Sequence, residues 1–166
     1  MKRLLQTAIL GLATAAAGAA EPGPACAPIL KAMAKTLVAD HATLTQSGGH
    51  TSNGITAGGV SYLQIGNAWK VSPLSPKDNQ ARSDENMRNA KSYTCQSLPD
   101  SSIDGVAVAN YRTRTETEDT VVESQISISK TSGLAIQVDN NLGEGNKSHY
   151  STRYTYTGIH APSVQK

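Results

Sequence analysis

The chain has 166 residues, 38% of them hydrophobic and 17% charged, with no Phe, one Trp and six Tyr, and it carries a formal charge of +2. The length fits one domain rather than a multi-domain enzyme, and the apolar content is thin for a core yet too high and too evenly charged for a disordered chain. Lys2 and Arg3 account for the whole positive surplus. A chain without them is neutral, which leaves no electrostatic footprint for nucleic acid or for an anionic membrane.

Met1-Lys2-Arg3 forms a short positive stretch before an apolar, Ala-rich run to Ala20. Ala17-Gly18-Ala19 supplies the small-x-small pattern of a cleavage site, so residues 1–20 read as a secretory signal peptide of bacterial type. The run is too short and too rich in Ala and Gly to span a bilayer, and no transmembrane span is expected in the mature chain. The Asn146-Lys147-Ser148 sequon matters only in a eukaryotic secretory route. Residues 21–166 are then a single periplasmic domain, with secretion, or lipid anchoring through Cys26, as the alternatives.

A lipid-attachment cysteine follows a Leu three residues earlier and small residues between. Gly23-Pro24-Ala25-Cys26 fits that pattern poorly. Cys95 is the only other cysteine. Two cysteines in an exported chain imply one bridge, and no C-x-x-C spacing suggests a redox pair.

Residues 28–41 read as a helix, with Pro28 in its first turn and Ile29, Leu30, Met33, Leu37 and Val38 along one stripe. Residues 42–46 suit a short strand. Residues 47–59, with five Gly among Ser, Thr and Asn, read as a long loop. Val60–Ile65 and Ala68–Val71 flank Gly66-Asn67, a hairpin turn. Ser75-Pro76-Lys77-Asp78 opens a second helix near 77–90, whose apolar residues are only Ala81, Met87 and Ala90.

From Tyr93 onward the pattern is β. Strands are expected at Tyr93–Leu98, Val106–Thr115 after the Asp104-Gly105 turn, Val121–Ser129, Leu134–Asp139 and His149–Thr157. Leu134, Ile136 and Val138 should share one face, as should Tyr150, Tyr154 and Tyr156. Clean alternation means an antiparallel sheet with one wet face. The expected fold is α+β, a curved antiparallel sheet of six to eight strands packed on the first helix.

Catalytic signatures are sparse. His41, His50, His149 and His160 lack metal-ligand spacing, so neither a metal nor a cofactor is expected. Gly59-Val60-Ser61 is not a nucleophile elbow, and Gly143-Glu144-Gly145 is only half of a dinucleotide-binding loop. Arg112, Arg114, Glu116 and Glu118, followed by Asp119 and Glu123, read as a solvated charge ladder rather than an acid–base pair. No catalytic residue is assigned, and a hydrolase is the least supported reading. The aromatic residues are more informative, because Tyr and Trp combine an apolar body with a polar tip suited to a cleft or recognition face. Tyr62, Trp69, Tyr111, Tyr154 and Tyr156 are the ligand-binding candidates, with Tyr93 and Tyr150 also on expected strands.

Four segments together resemble the LolA-like superfamily of periplasmic lipoprotein carriers, and within it small exported proteins that share its half-barrel. They are Tyr62–Trp69, Cys95–Tyr111, Ile126–Leu134 and Tyr154–Pro162. The resemblance implies a curved sheet over a helix with a hydrophobic cleft between them. The absence of Phe departs from carriers of acyl chains and implies a smaller or more polar cleft. The functional expectation is therefore a periplasmic, non-enzymatic protein binding a small amphipathic or lipid-like ligand. Its rival is a cell-envelope interaction module that binds a protein partner.

Overall fold

A computed structural model describes residues 22–143 and 148–164. The expected signal peptide, Gly143-Glu144-Gly145 beyond its first residue, and all of the sequon but Ser148 lie outside the described residues.

A 3-10 turn at Pro24–Cys26 leads into α1 (Ala27–Val38). Four strands follow: β1 (His41–Ser47), β2 (His50–Ala57), β3 (Val60–Ile65) and β4 (Ala68–Val71). Helix α2 (Pro76–Arg88) then precedes β5 (Ser92–Ile103), β6 (Val106–Glu116), β7 (Val121–Ser129), β8 (Ala135–Leu142) and β9 (Ser148–Thr155). All nine strands form one antiparallel sheet in the order β4-β3-β2-β1-β9-β8-β7-β6-β5. Two meanders, β1–β4 and β5–β9, therefore join where β1 pairs with β9.

The expected loop at 47–59 is instead the β1–β2 hairpin and the turn into β3. Its Gly residues are punctuation rather than slack. Gly48-Gly49 and Gly58-Gly59 take positive φ in two tight turns, the conformation such hairpins require. Gly54 lies inside β2, where a Cβ would meet Thr43 Oγ1 at 2.6 Å. This hairpin supplies the strand beyond the expected six to eight. β5 also runs to Ile103 rather than Leu98, through a register shift between Leu98 and Ser101.

The core lies where α1 crosses β7 and β8. Ile29 and Ala32 pack on Ile126, Ile128, Ala135 and Val138, with Met33, Cys95, Tyr111 and Tyr154 around them. Burying a residue such as Ile29, 1% exposed, contributes about 1.5–3 kcal/mol. The apolar stripe expected on α1 divides in two. Ile29 and Ala32 turn to the sheet beside buried Thr36, Leu30 and Leu37 turn to α2, and Val38 is exposed. The alternation expected for β8 also fails. A register shift between Ser127 and Ile128 brings Ala135 opposite Ile128 and so into the core with Val138.

Polar groups lock α1 to the sheet. Thr36 Oγ1 accepts from the Ala135 amide at 2.9 Å, and the Tyr156 hydroxyl donates to the Ala135 carbonyl at 2.5 Å. Cys26 and Cys95 form a disulfide that ties the N-terminal turn to β5. That bond occupies the sulfur which a lipid anchor on Cys26 would require.

Candidate functional site

Helix α2 is a poor core helix by composition, since between Lys77 and Arg88 its apolar residues are only Ala81 and Met87. It is held at its ends. Ser75 caps it: Ser75 Oγ accepts from the Asp78 amide at 3.2 Å, and Asp78 Oδ2 accepts from the Ser75 amide at 2.9 Å. The Ser75 hydroxyl also donates to Asp78 Oδ2 at 2.7 Å, and that bond first, then the one from the Ser75 amide, holds the Asp78 carboxyl below its ordinary value. Pro76 and Ala90 are buried at the two ends, while residues 81–86 between them are exposed. A helix without an apolar face has no reason to lie flat on a sheet, and α2 packs chiefly against α1.

Two spaces flank it. Between α1 and α2 is a groove of about 460 Å³, with Leu30, Met33, Leu37 and Met87 on its walls and Gln80 and Arg88 at its margin. Between α2 and the inner face of the sheet is a cleft of about 1310 Å³. Its floor carries Tyr93, Thr113, Thr115, Ser124 and Asn140, interleaved with Val122, Ile126 and Val138. Strand register explains that floor, because Tyr93 pairs with Thr115, Thr113 with Ser124, and Ser124 with Asn140, placing all of them on the face that α1 covers. Arg82, Arg88 and Lys91 border the cleft on one side, with Glu118 and Asp119 on the β6–β7 turn. Met33, Ser83, Met87 and Arg88 line both spaces. The apolar groove and the polar cleft thus share a wall of two methionines, side chains that adapt to irregular shapes.

Burial pushes the Tyr93 hydroxyl above its ordinary pKa, against a smaller opposing effect of a hydrogen bond with Thr113. Ser124 donates to Asn140 Oδ1 at 2.6 Å, which turns the Asn140 amide N–H groups away from Ser124. Gln80 Nε2 donates to Asp84 Oδ1 at 2.7 Å, while its Oε1 is buried without a partner. The site is thus a set of hydroxyl and amide groups beside an apolar slot, chemistry that binds and orients. Among the described residues, no three His, Cys, Asp or Glu side chains are placed to hold a metal.

The five aromatic candidates do not converge. Tyr111 and Tyr154 lie on the inner face at the margin of the core, and Tyr156 follows β9 onto the same side. Tyr154 and Tyr156 stack with ring centroids 6.5 Å apart, beside His41 at 5.5 and 6.2 Å. Burial raises both tyrosines to about 12 and lowers His41. Tyr62 and Trp69 share the opposite face, since Tyr62 pairs with Ile55 and Val71, and Trp69 with Gln64. None of the five borders the cleft or the groove. The residues that do are hydroxyl and amide side chains, Tyr93 among them, with methionine and aliphatic side chains and charged groups at the border. Their signal in the sequence was the lean composition of α2, which cannot close over a sheet. In the charge ladder, Arg114 pairs with Glu123 at 2.8 Å on the exposed outer face.

No protein-family model matches the sequence, and no curated protein matches it. Solved structures do share the fold. The Mycobacterium tuberculosis lipoprotein LppX superposes with a TM-score of 0.51 at 7% identity, over 83% of this chain and 98% of that one. LprF from Mycobacterium bovis gives the same TM-score and identity over 86% of this chain and 98% of that one. The α+β half-barrel implied by the sequence resemblance, an open antiparallel sheet with helices on one side, is the fold this chain adopts.

Proposed function

We propose that the chain is an exported, non-enzymatic binding protein, delivered to the periplasm by cleavage after the signal peptide at residues 1–20. Its ligand is small and amphipathic. The apolar part lies in the groove of Leu30, Met33, Leu37 and Met87, and the polar part lies over the Thr113, Ser124 and Asn140 floor. One observation carries this reading: Met33 and Met87 line both spaces, so an apolar slot adjoins a hydroxyl-rich cleft. The groove, at about 460 Å³, has the size of a small-molecule pocket. Absence of Phe accords with a modest apolar compartment.

Mass spectrometry on protein purified from the periplasm tests the proposal. The denatured spectrum should show a mass lacking residues 1–20 and lacking the two hydrogens of a reduced Cys26–Cys95 pair. The native spectrum should show a bound small molecule. Met87→Asp places a charge in the shared wall and should abolish that adduct without moving the thermal midpoint by more than a few degrees. A bare protein in the native spectrum, with no binding across a lipid and metabolite panel, would overturn the ligand reading.

A further inference from the structure

The amphipathic sense of the sheet reverses between its two meanders. Core residue Val138 pairs with Thr152, Thr152 with Thr45, and Thr45 with Ser52, so the inner face runs on through β1 and β2. On β5–β9 the inner face holds the apolar core, and the outer face carries Arg112, Arg114, Glu123 and Asp139. On β1–β4 the inner face is the polar one, with Thr43, Thr45, Ser52, Thr56 and Lys70. Its outer face has Ala42, Ile55, Tyr62 and Val71 in one cross-strand row, with Leu44 and Trp69 in the next. None of the outward positions of β1–β4 is Asp, Glu, Lys, Arg or His.

An antiparallel sheet with one wet face packs the other. By composition the face of β1–β4 to be packed is the outer one, yet Leu44 is 41% exposed there and Val71 56%. That face suits contact with a copy of itself. Carrying no charge, two such faces meet without like-charge repulsion. Within it Asn53 Nδ2 donates to Gln64 Oε1 at 2.6 Å, which leaves Asn53 Oδ1 to accept and Gln64 Nε2 to donate. A two-fold axis between two such faces sets the free donor of each copy towards the free acceptor of the other. Area agrees. Strands about 4.8 Å apart, averaging about six residues of about 3.3 Å rise, make a face about 19 by 20 Å. Two such faces, with side-chain relief, bury on the order of 1,000 Å², the threshold of a specific interface.

We propose that the outer face of β1–β4 is the interface of a reversible homodimer, two copies stacking sheet on sheet about a two-fold axis. Other occupants fit less well. An anionic membrane surface is met by Lys or Arg, which this face lacks. A different protein would be selected by complementary charges, and the face offers none. The dimer does not involve the groove or the cleft, whose lining residues all lie outside β1–β4.

Sedimentation equilibrium on the purified chain, with its disulfide intact, tests this across about 1–300 μM. The unaltered chain should pass from monomer to dimer in that range. The emission of Trp69, the only tryptophan, should shift to the blue as it does. Leu44→Lys and Val71→Asp each place a charge on the outer face and should weaken dimerisation at least about tenfold. Either variant decides the matter if the other fails to fold. Ile65→Asp alters an exposed position on the inner face of β3 and should leave the dimer unchanged. A chain monomeric throughout, a dimer that survives both outer-face changes, or one weakened equally by Ile65→Asp in a folded chain would overturn the proposal. Flotation of such a monomer with neutral lipid vesicles, abolished by Val71→Asp, would assign the face to a membrane instead.

Discussion

The two meanders share one sheet but are stabilised in different ways. β5–β9 has α1 on its inner face, the disulfide at its margin and the main apolar cluster beneath the helix. Among the described residues neither helix packs extensively on β1–β4, and Leu44, Leu63, Ile65 and Val71 are exposed. Hydrogen bonding is similar in both, so backbone pairing does not distinguish them. What differs is burial, which for a sheet depends on whether another layer covers it. The covered half resists change, whereas the uncovered half has its apolar residues free for contacts with other molecules.

Removing the disulfide should give the largest effect. Its 69-residue separation corresponds to about 4 kcal/mol of loop-closure stabilisation. Cys95→Ser, or reduction of the native chain, should lower the urea midpoint accordingly. Ile29→Ala should cost about 3 kcal/mol through lost burial and a cavity, while Ile65→Ala on β3 should shift stability by less than about 0.5 kcal/mol. Comparable losses at the two positions in urea titrations would break the contrast between the halves.

Tyr156→Phe tests the seam between α1 and β8. It leaves the Ala135 carbonyl without its side-chain donor and should cost about 1–2 kcal/mol. The same tyrosines make stability depend on pH. With Tyr154 and Tyr156 raised to about 12, the folded state holds its phenolic protons more tightly than the unfolded chain. Their contribution is complete below pH 10 and is lost as pH rises towards 12. His41 behaves in the opposite sense. Its pKa lies below 6.5 because of burial, so stability is complete above pH 6.5 and falls as pH drops towards the folded value. Urea midpoints measured across both windows check each slope, and His41→Gln should flatten the acid limb alone.

The smallest global effect belongs to α2. Ser75→Ala removes the cap and should cost the helix about 1 kcal/mol. The expected sign is faster amide exchange confined to residues 76–90, with little change in β6–β8. Faster exchange spread through the sheet would mean that α2 belongs to the cooperative core after all.

Much of the fold was legible in local pattern. Pro28 and the first apolar stripe placed α1, Ser75-Pro76 placed the start of α2, and Gly66-Asn67 and Asp104-Gly105 placed two hairpin turns. The hairpin at 47–57 was missed because a strand of Ser, Thr, Asn and Gly carries no hydrophobic alternation to announce it. The site was harder to read. Tyr62 and Trp69 resembled Tyr154 and Tyr156 in type and in strand placement, yet register sends the two pairs to opposite faces.

From its sequence alone this chain determined several of its turns, its helix starts, the character of its late strands and the pairing of its only two cysteines. Each of these depends on neighbours in the chain or, for the bridge, on there being a single choice of partner. Tertiary structure decided which face of each strand is covered, the shift that brings Ala135 into the core, and the space left beneath α2. Those outcomes depend on strand pairing between distant segments and on packing between layers, and a one-residue change of register reverses the face a side chain occupies.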